Sequence, residues 1–486
     1  MSSSDSYNDE RTPLMGSSAV SRVKKLSRLS LIAIMYFSVA GGPEGTETMV
    51  KTAGPLVTFL GIIVLGVVFA VPLALMTTEL STMYPENGGF VLWAKAAFGS
   101  GAGGMAGWLQ FSFSAVDTAL YPGLFVTYLA RTMQTMYSPE ASGWLQAAFI
   151  VIITALNLGG IDSVGHGSTV MMLFLLLPFG LIVLIAFSGV FTGTTVTGWT
   201  FETANMWQTL PETDWAKFTL VLIWNMGMWE TASVCSGEVD DVAKDFPPAL
   251  AITVFLVVLN YVLPIAAFVG LDGDYSAYNN GHYIDIMQKV GGVGWATWLG
   301  LSQCVSAAGL FTNGIVKNAF MLCGMGEQGM LPTALAWRMP LTKAPVVSIA
   351  VTQAVTIAMV FFGDFQAVLG VDMLLYCLNL LLEIASLIHL RNLEPDTPRP
   401  YRIPADGVLL WLVFLPSIIL SIYVVVTSGV VELLVAAVLI GIGAVTIYLV
   451  SLAQQQAPTI FAGVDTVMHV EHHTERHPPG LEIGSF

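Results

Sequence analysis

Basic residues are scarce in this sequence, with 18 Lys and Arg against 33 Asp and Glu and a net charge of −15. Binding of nucleic acid requires a basic surface, so nucleic acid is excluded as a partner. Cysteine is also rare, and the four present form no CxxC or Cys/His metal pattern. We interpret them as small packing residues. No HExxH motif or nucleophile–His pairing is present, so we expect neither an enzyme, nor a metal site, nor a cofactor.

Apolar residues, in contrast, make up 55% of the chain. A soluble globular protein cannot bury such an excess, which indicates a polytopic protein of the lipid bilayer. A spanning helix needs roughly 20 apolar residues. We therefore predict an all-α membrane protein of about 12 transmembrane helices, from these stretches: 29–52, 55–81, 101–133, 143–160, 168–190, 216–237, 249–269, 295–325, 345–362, 366–390, 408–428 and 433–453.

The few basic residues predict the orientation, because Lys and Arg remain on the cytosolic side of short loops. The tails and even-numbered loops hold thirteen of them, and the odd-numbered loops hold four. Both termini are therefore predicted to be cytosolic, in the plasma membrane, with an internal membrane as the alternative. The predicted domains are a tail over 1–28, a transporter domain over 29–453 and a tail over 454–486. Four histidines in the second tail are interpreted as part of a solvated segment rather than a metal site.

Two of the predicted spans are interrupted by residues that end helices. The first contains Gly41, Gly42 and Gly45 around a proline, and the sixth contains Asn225 and Gly227. Backbone without helical hydrogen bonds is tolerated at membrane depth only where it lines a cavity. A single break is better explained by a glycine hinge or a close helix crossing. Two breaks at corresponding positions of inverted five-helix halves, approximately 29–190 and 216–390, favour a transport site, with 408–453 supplying two extra helices.

Four acidic residues stand out within the spans, where a carboxylate costs a few kcal/mol and therefore indicates function. Glu44 and Glu47 follow the first break, Asp117 lies halfway along the third span, and Glu230 follows the second break. The alternative for Asp117 is a carboxylate satisfied by local hydroxyl and amide donors. Burial favours the neutral form of an acid, so one of the four is the expected proton site.

The position of the acids indicates the class of substrate. A half-helix N-terminus attracts the carboxylate of an amino acid, but Glu44 and Glu47 already bring negative charge there. The cleft therefore favours a small cationic substrate with separated amines. Tyr121, Trp224 and Trp229 are predicted to cover its methylene groups and supply cation–π contacts, although ordinary packing also explains such rings.

Lys317 lies two to three turns inside the eighth predicted span. One interpretation is that its long side chain reaches the membrane interface. The other is that its ammonium group pairs with an acid or takes the place of a coupling cation. The residues alone do not separate these two roles.

Several motifs in one order resemble the amino acid–polyamine–organocation superfamily, and within it the polyamine:proton symporters of plants and trypanosomatids. They are Gly41–Glu47, Glu79-Leu80, Tyr84–Phe90, Asp117–Pro122, Trp224–Glu230, Ser236–Asp241, Phe246–Leu250, Gly324–Pro332, Leu374–Cys377 and Arg399–Pro404. The resemblance implies a LeuT-type fold with broken helices 1 and 6, uptake of putrescine or spermidine, and the proton as coupling ion. It also implies that Glu47, Asp117 and Glu230 bind amines. The chain departs from the usual pattern of that group at Glu44, Glu230 and Lys317.

The sequence therefore predicts a proton-coupled polyamine importer that works by alternating access. An amino acid permease or exchanger of the same fold is the first alternative. A membrane sensor that binds without transporting is the second.

Overall fold

The computed structural model describes residues 26–43, 45–192, 213–360 and 365–461. Glu44 and the histidines of the C-terminal tail lie outside these residues. Within the described ranges the regular structure is helical and contains no β-strand. The predicted all-α fold class is therefore confirmed.

The described residues form fourteen α-helices, numbered α1 to α14. One of them, α3, contains a π-helical turn at Gly66–Ala70. Short 3₁₀ segments at Trp229–Glu238, Tyr275–Ala277, Thr333–Ala336 and Pro458–Phe461 complete the described fold. The helices are α1 Arg28–Val39, α2 Thr46–Ala53, α3 Pro55–Met83, α4 Phe90–Phe98, α5 Ser100–Thr132, α6 Pro139–Asn157, α7 Ile161–Thr192, α8 Trp215–Met226, α9 Val242–Leu271, α10 His282–Glu327, α11 Val346–Val360, α12 Phe365–Leu393, α13 Val408–Thr427 and α14 Val430–Gln456.

Each predicted apolar stretch coincides with one helix or with a pair of helical segments. The stretch 29–52 is divided into α1 and α2, and the stretch 216–237 is divided into α8 and the 3₁₀ segment after it. Among the described residues, eight helices are long and apolar enough to cross a membrane. The remaining stretches are halves of broken helices, are short, or carry more polar residues.

Burial separates helices of the centre from helices of the periphery. The most apolar windows of α10 and α12 are 78% and 72% buried, whereas those of α13 and α14 are only 28% and 11% buried. The outward-facing apolar residues of α13 and α14 are not covered by other parts of the described chain. This exposure is expected for residues that face lipid. α10 and α12 therefore form the interior against which the site is built.

The bundle has two ends, which we name by their residues. The terminal face contains the start of α1 at Arg28 and the end of α14 at Gln456, and the loop face contains the segment 272–285. The helix α10 runs between them, with His282 beside Asp272 at one end and Glu327 bonded to Arg338 at the other. The two faces are thus opposite ends of one membrane-spanning bundle.

Several of the sequence motifs hold the terminal face together. Glu79 is fully buried, and its two carboxylate oxygens accept hydrogen bonds from the Nε and Nη2 of Arg391, each at 2.6 Å. Arg399 lies 3.3 Å from the same carboxylate, and the Ile403 amide donates to it at 2.8 Å. The Arg399–Pro404 motif thus fastens the link between α12 and α13 onto α3.

Candidate functional site

The first break separates α1 from α2. Gly45 caps α2 with a φ of +81°, a left-handed conformation that favours glycine. Gly41 lies against α10, where the Ser306 hydroxyl donates to its carbonyl oxygen. A Cβ atom at Gly41 would stand 2.3 Å from Leu310 and 2.6 Å from the Ser306 hydroxyl, so a larger residue would displace both side chains. The chain therefore leaves the helix where the two glycines permit it.

The second break follows α8. Met228 has a φ of +65°, in the left-handed region that a non-glycine residue rarely adopts. Its amide donates to the Tyr376 hydroxyl of α12 at 2.8 Å, and the Trp229 indole donates to the Met226 carbonyl at 2.7 Å. A Cβ atom at Gly227 would lie 2.9 Å from the Tyr376 oxygen. The break is thus held by side chains from α12 and from the segment itself.

Asp117 is the centre of the site. It is fully buried halfway along α5, and its Oδ1 accepts hydrogen bonds from Tyr121 Oη at 2.7 Å and Trp224 Nε1 at 3.2 Å. Its Oδ2 accepts from the Nζ of Lys317 at 2.9 Å. The Lys317 ammonium also lies 3.7 Å from the Met228 sulfur, at the second break. An ammonium group therefore already lies on this acid, held between α5, α8 and α10.

The structure thus supports the ion-pair interpretation of Lys317. Its side chain is 5% exposed and that of Asp117 is 0% exposed. A buried charge left without a partner costs several kcal/mol, which explains why two residues 200 positions apart are brought together. Lys317 does not extend to the membrane interface here.

Two further acids surround this ion pair. Glu230 is fully buried beside Tyr376, and Asp372 of α12 is fully buried as well. Both interact electrostatically with Lys317, and Asp372 does so with Asp117 as well. Within the described chain, neither oxygen of either acid completes a hydrogen bond of standard geometry. Of these three acids, only Asp117 bonds directly to Lys317, and the other two interact with it electrostatically.

Glu47 occupies a different place. It is fully buried, its Oε2 accepts from the Gly45 amide and its Oε1 accepts from the Gly281 amide, both at 3.1 Å. The same carboxylate thus ties the start of α2 to the loop face. Since both oxygens are engaged by backbone, the amine-binding role of Glu47 stays a prediction.

We expect Glu47→Ala to lower the melting temperature of the purified protein, because it leaves two buried amides without acceptors. Each such loss costs about 1–3 kcal/mol. Glu47→Gln keeps one acceptor and should fall between Ala and wild type, with substrate affinity within about twofold, far less than one buried charge pair contributes. The measurement is thermal unfolding alongside substrate binding. A Gln variant of normal stability that has lost binding would favour the amine-binding role.

The loop face is itself built from charged residues. His282 is 6% exposed, and its ring nitrogens lie 3.5 Å from Asp272 and 3.7 Å from Asp285. Arg131 at the end of α5 pairs with Asp285 at 2.5 Å. The hydrogen bond from Arg131 stabilises the ionised carboxylate of Asp285 against the cost of its partial burial. These contacts join α5 and α9 to the loop segment that Glu47 holds.

A small cavity lies between the two breaks, with a volume of about 30 Å³. It is lined by residues of α1, α5, α8, α9 and α10 and by one residue of the loop face. They include Gly41, Gly45, Tyr121, Trp224, Asn225, Met228, Tyr261, Asn280 and Ser306. The breaks therefore do line a cavity, and Tyr121 and Trp224 stand between it and Asp117.

The predicted site residues thus fall into three groups. Asp117, Tyr121, Trp224, Glu230 and Lys317 lie together, Glu47 and Trp229 hold backbone, and Glu44 lies outside the described residues. Asp372 and Tyr376 were missed. Tyr376 belongs to the Leu374–Cys377 motif, but Asp372 carried a detectable signal, since it is an acid inside a predicted span.

Comparisons with known proteins agree with this geometry. The model of the amino acid permease family matches residues 26–455. The polyamine transporter RMV1 of Arabidopsis thaliana is 32% identical over 87% of this chain and 85% of its own length. The polyamine transporter PUT1 of Oryza sativa subsp. japonica is 32% identical over 79% and 70%. The large neutral amino acids transporter small subunit 2 of Rattus norvegicus is 24% identical over 82% and 76%.

The family model covers both breaks, and the matches confirm the resemblance that the motifs indicated. They also agree with the apolar spans of the structure. The chain therefore belongs to the amino acid permease family, within the amino acid–polyamine–organocation superfamily, and is an integral multi-pass membrane transporter rather than an enzyme.

Proposed function

We propose that this protein imports polyamines such as putrescine and spermidine by proton symport and alternating access. The observation that carries the proposal is the buried carboxylate of Asp117, which holds the Lys317 ammonium at 2.9 Å. A carboxylate that accepts a hydrogen bond from one primary ammonium group in this geometry has the charge and the acceptor atom to bind another in its place. The two relatives named as polyamine transporters support the same class of substrate.

The aromatic residues of the site suit an amine with methylene spacers. Tyr121 and Trp224 turn their polar atoms toward Asp117 while their rings line the cavity. A bound amine would thus meet the carboxylate at one end and ring faces along its carbon chain. An ammonium group that lies over one of these ring faces would gain about 0.5–2 kcal/mol more from a cation–π contact.

An amino acid substrate is the alternative, and it is favoured by the rat relative, named as a large neutral amino acids transporter. Its carboxylate would require the amides at the start of α2, since a helix N-terminus attracts an anion. The Gly45 amide already donates to Glu47 at 3.1 Å. That occupied donor supports a substrate without a carboxylate.

The proposal includes the orientation of the protein. The excess of Lys and Arg in the tails and even-numbered loops supports cytosolic termini, which makes the terminal face cytosolic and the loop face external. The plasma membrane is the proposed location. Substrate would enter at the loop face, and the coupling proton would move in the same direction.

We expect cells that lack their own uptake system to accumulate labelled spermidine when they express this chain, with faster uptake at acidic external pH. Uptake is measured across a pH range with putrescine, arginine and leucine as competitors, and with a protonophore added in parallel. The matched control is Glu140→Gln, an exposed acid of α6, which should behave as wild type.

The outcomes separate the hypotheses. Competition by putrescine together with sensitivity to the protonophore supports polyamine symport. Stronger uptake of arginine or leucine than of spermidine would transfer the assignment to an amino acid permease. Surface expression with binding but no accumulation of any of the four would indicate a sensor.

A further inference from the structure

The helix α12 carries a row of polar residues on one buried face. Asp372, Tyr376, Asn379 and Glu383 follow one another at spacings of four, three and four residues, which places them on the same side of a helix. Each is at most 1% exposed. The row extends over about 16 Å along the helix axis at 1.5 Å per residue. It therefore leads from the depth of the Asp117 site toward the end of α12 at the terminal face.

The two ends of this row differ in their neighbours. Asp372 interacts electrostatically with Asp117 and Lys317, at the ion pair. Glu383 accepts a hydrogen bond from Asn379 at 2.7 Å through Oε1 and interacts electrostatically with Glu230. Its Oε2 has no hydrogen-bond partner among the described residues. Glu230, from the segment that follows the second break, thus interacts electrostatically both with Lys317 and with Glu383.

The charges around the row do not balance. Lys317 pairs with Asp117, which leaves Asp372, Glu230 and Glu383 with no salt bridge to a base of the described chain. A buried carboxylate without a cation costs several kcal/mol, whereas a carboxylic acid that keeps its proton avoids this cost. Each of the three is therefore suited to receive and pass on a proton.

The other titratable groups near the row come from α12 itself and from five other elements. They are Asp117 and Tyr121 of α5, Glu230 of the 3₁₀ segment, Lys317 of α10, Tyr376, Cys377 and Arg391 of α12 itself, Glu432 of α14 beside Gly370, and Glu79 of α3 with Arg391 at the terminal face.

We propose that Asp372, Glu230 and Glu383 form the proton path of this transporter, and that Glu383 is its last buried acid before the terminal face. In each transfer the O–H bond of one carboxylic acid breaks while an O–H bond to the next carboxylate forms, so one proton moves and no electrons are exchanged. The arrival of a substrate ammonium at Asp117 starts the sequence by changing the charge beside Asp372. This inference rests on the proposed function, since it names the residues that carry the coupled proton.

Glu383→Gln in proteoliposomes tests the path, because an amide cannot carry the proton. We expect spermidine uptake driven by a pH gradient to fall at least about tenfold, which equals about 1.4 kcal/mol. Exchange of internal for external spermidine without a gradient should stay within about twofold of wild type, because exchange needs no net proton release. Asp372→Asn should also lower gradient-driven uptake, with a weaker pH dependence of the uptake that remains.

The controls use variants that keep a carboxyl group or lie elsewhere. Glu383→Asp should retain gradient-driven uptake, and Glu140→Gln should match wild type in both assays. Folding is checked by thermal unfolding. If Glu383→Gln does not fold, the comparison uses Asp372→Asn and Asp372→Glu, together with a pH dye inside the liposomes that reports proton entry on addition of spermidine.

Three outcomes would overturn the path. The first is wild-type gradient-driven accumulation by both Glu383→Gln and Asp372→Asn. The second is loss of exchange together with uptake in a folded Glu383→Gln, since that pattern marks a substrate-binding residue. The third is spermidine-dependent proton entry that persists in Asp372→Asn. Failure of the proposed function is distinct, because it appears in the wild type as uptake that is absent or indifferent to the pH gradient.

Discussion

Asp117→Asn should lower labelled spermidine uptake by about thirtyfold or more while the protein still reaches the membrane. Loss of one partner of a buried, hydrogen-bonded charge pair costs about 2–5 kcal/mol of binding. The asparagine side chain still meets Tyr121 and Trp224 but offers no negative charge to an ammonium group. Uptake at saturating and at low spermidine, normalised to surface protein, is the measurement.

A companion variant separates binding from folding in this experiment. Asp117→Asn alone leaves the buried Lys317 charge without its partner, which destabilises the protein by about 3–5 kcal/mol. Combining it with Lys317→Met removes that charge and should restore thermal stability without restoring uptake. Wild-type transport by the double variant would show that Asp117 is a structural partner of Lys317 and not the amine site.

Lys317→Met should raise the affinity for spermidine by about tenfold and slow its turnover. In the structure the Lys317 ammonium lies on Asp117 Oδ2 at 2.9 Å, so an incoming amine competes with it for this acceptor. Without the lysine the acid is available, and an affinity gain of about 1.4 kcal/mol corresponds to a factor of ten. Release slows for the same reason, since no internal cation replaces the departing amine. Equilibrium binding and initial uptake rates measure the two effects.

Lys317→Arg and Lys289→Met are the controls for this variant. The first keeps a positive charge and should keep the competition, and the second removes an exposed lysine of the loop face, whose side chain is 68% exposed. The pH profile of uptake by Lys317→Met should also differ from wild type, because the charge beside Asp117 and Asp372 has changed. Weaker binding by a folded Lys317→Met would refute competition and make the lysine a support of the site.

Much of the architecture could be predicted because it follows from local composition. Apolar length predicted the spans, and the glycines and proline near Gly41 and Gly227 predicted the breaks, since both effects act within a few residues of the chain. The acids Asp117 and Glu230 were recognised for the same reason, as charges inside apolar stretches. Recognition of these two acids depended only on the neighbouring sequence and not on their tertiary contacts.

The pairing of Asp117 with Lys317 could not be predicted, because 200 residues separate them and only helix packing brings them together. The same holds for Glu47, whose second acceptor atom faces Gly281 from 234 residues away. The positive φ of Met228 could not be predicted from the sequence either, since it is stabilised by Tyr376 from another helix. Partner choice across the bundle is a property of the tertiary structure.

The cavity between the breaks, at about 30 Å³, has room for about two water molecules and for no diamine. Binding therefore requires a rearranged bundle, and the apparent dissociation constant equals the intrinsic constant divided by the fraction of molecules that have opened. A variant that shifts this opening equilibrium would then alter affinity without touching the substrate. The measured affinity for spermidine therefore reports the opening equilibrium of the protein as well as the contacts between protein and substrate.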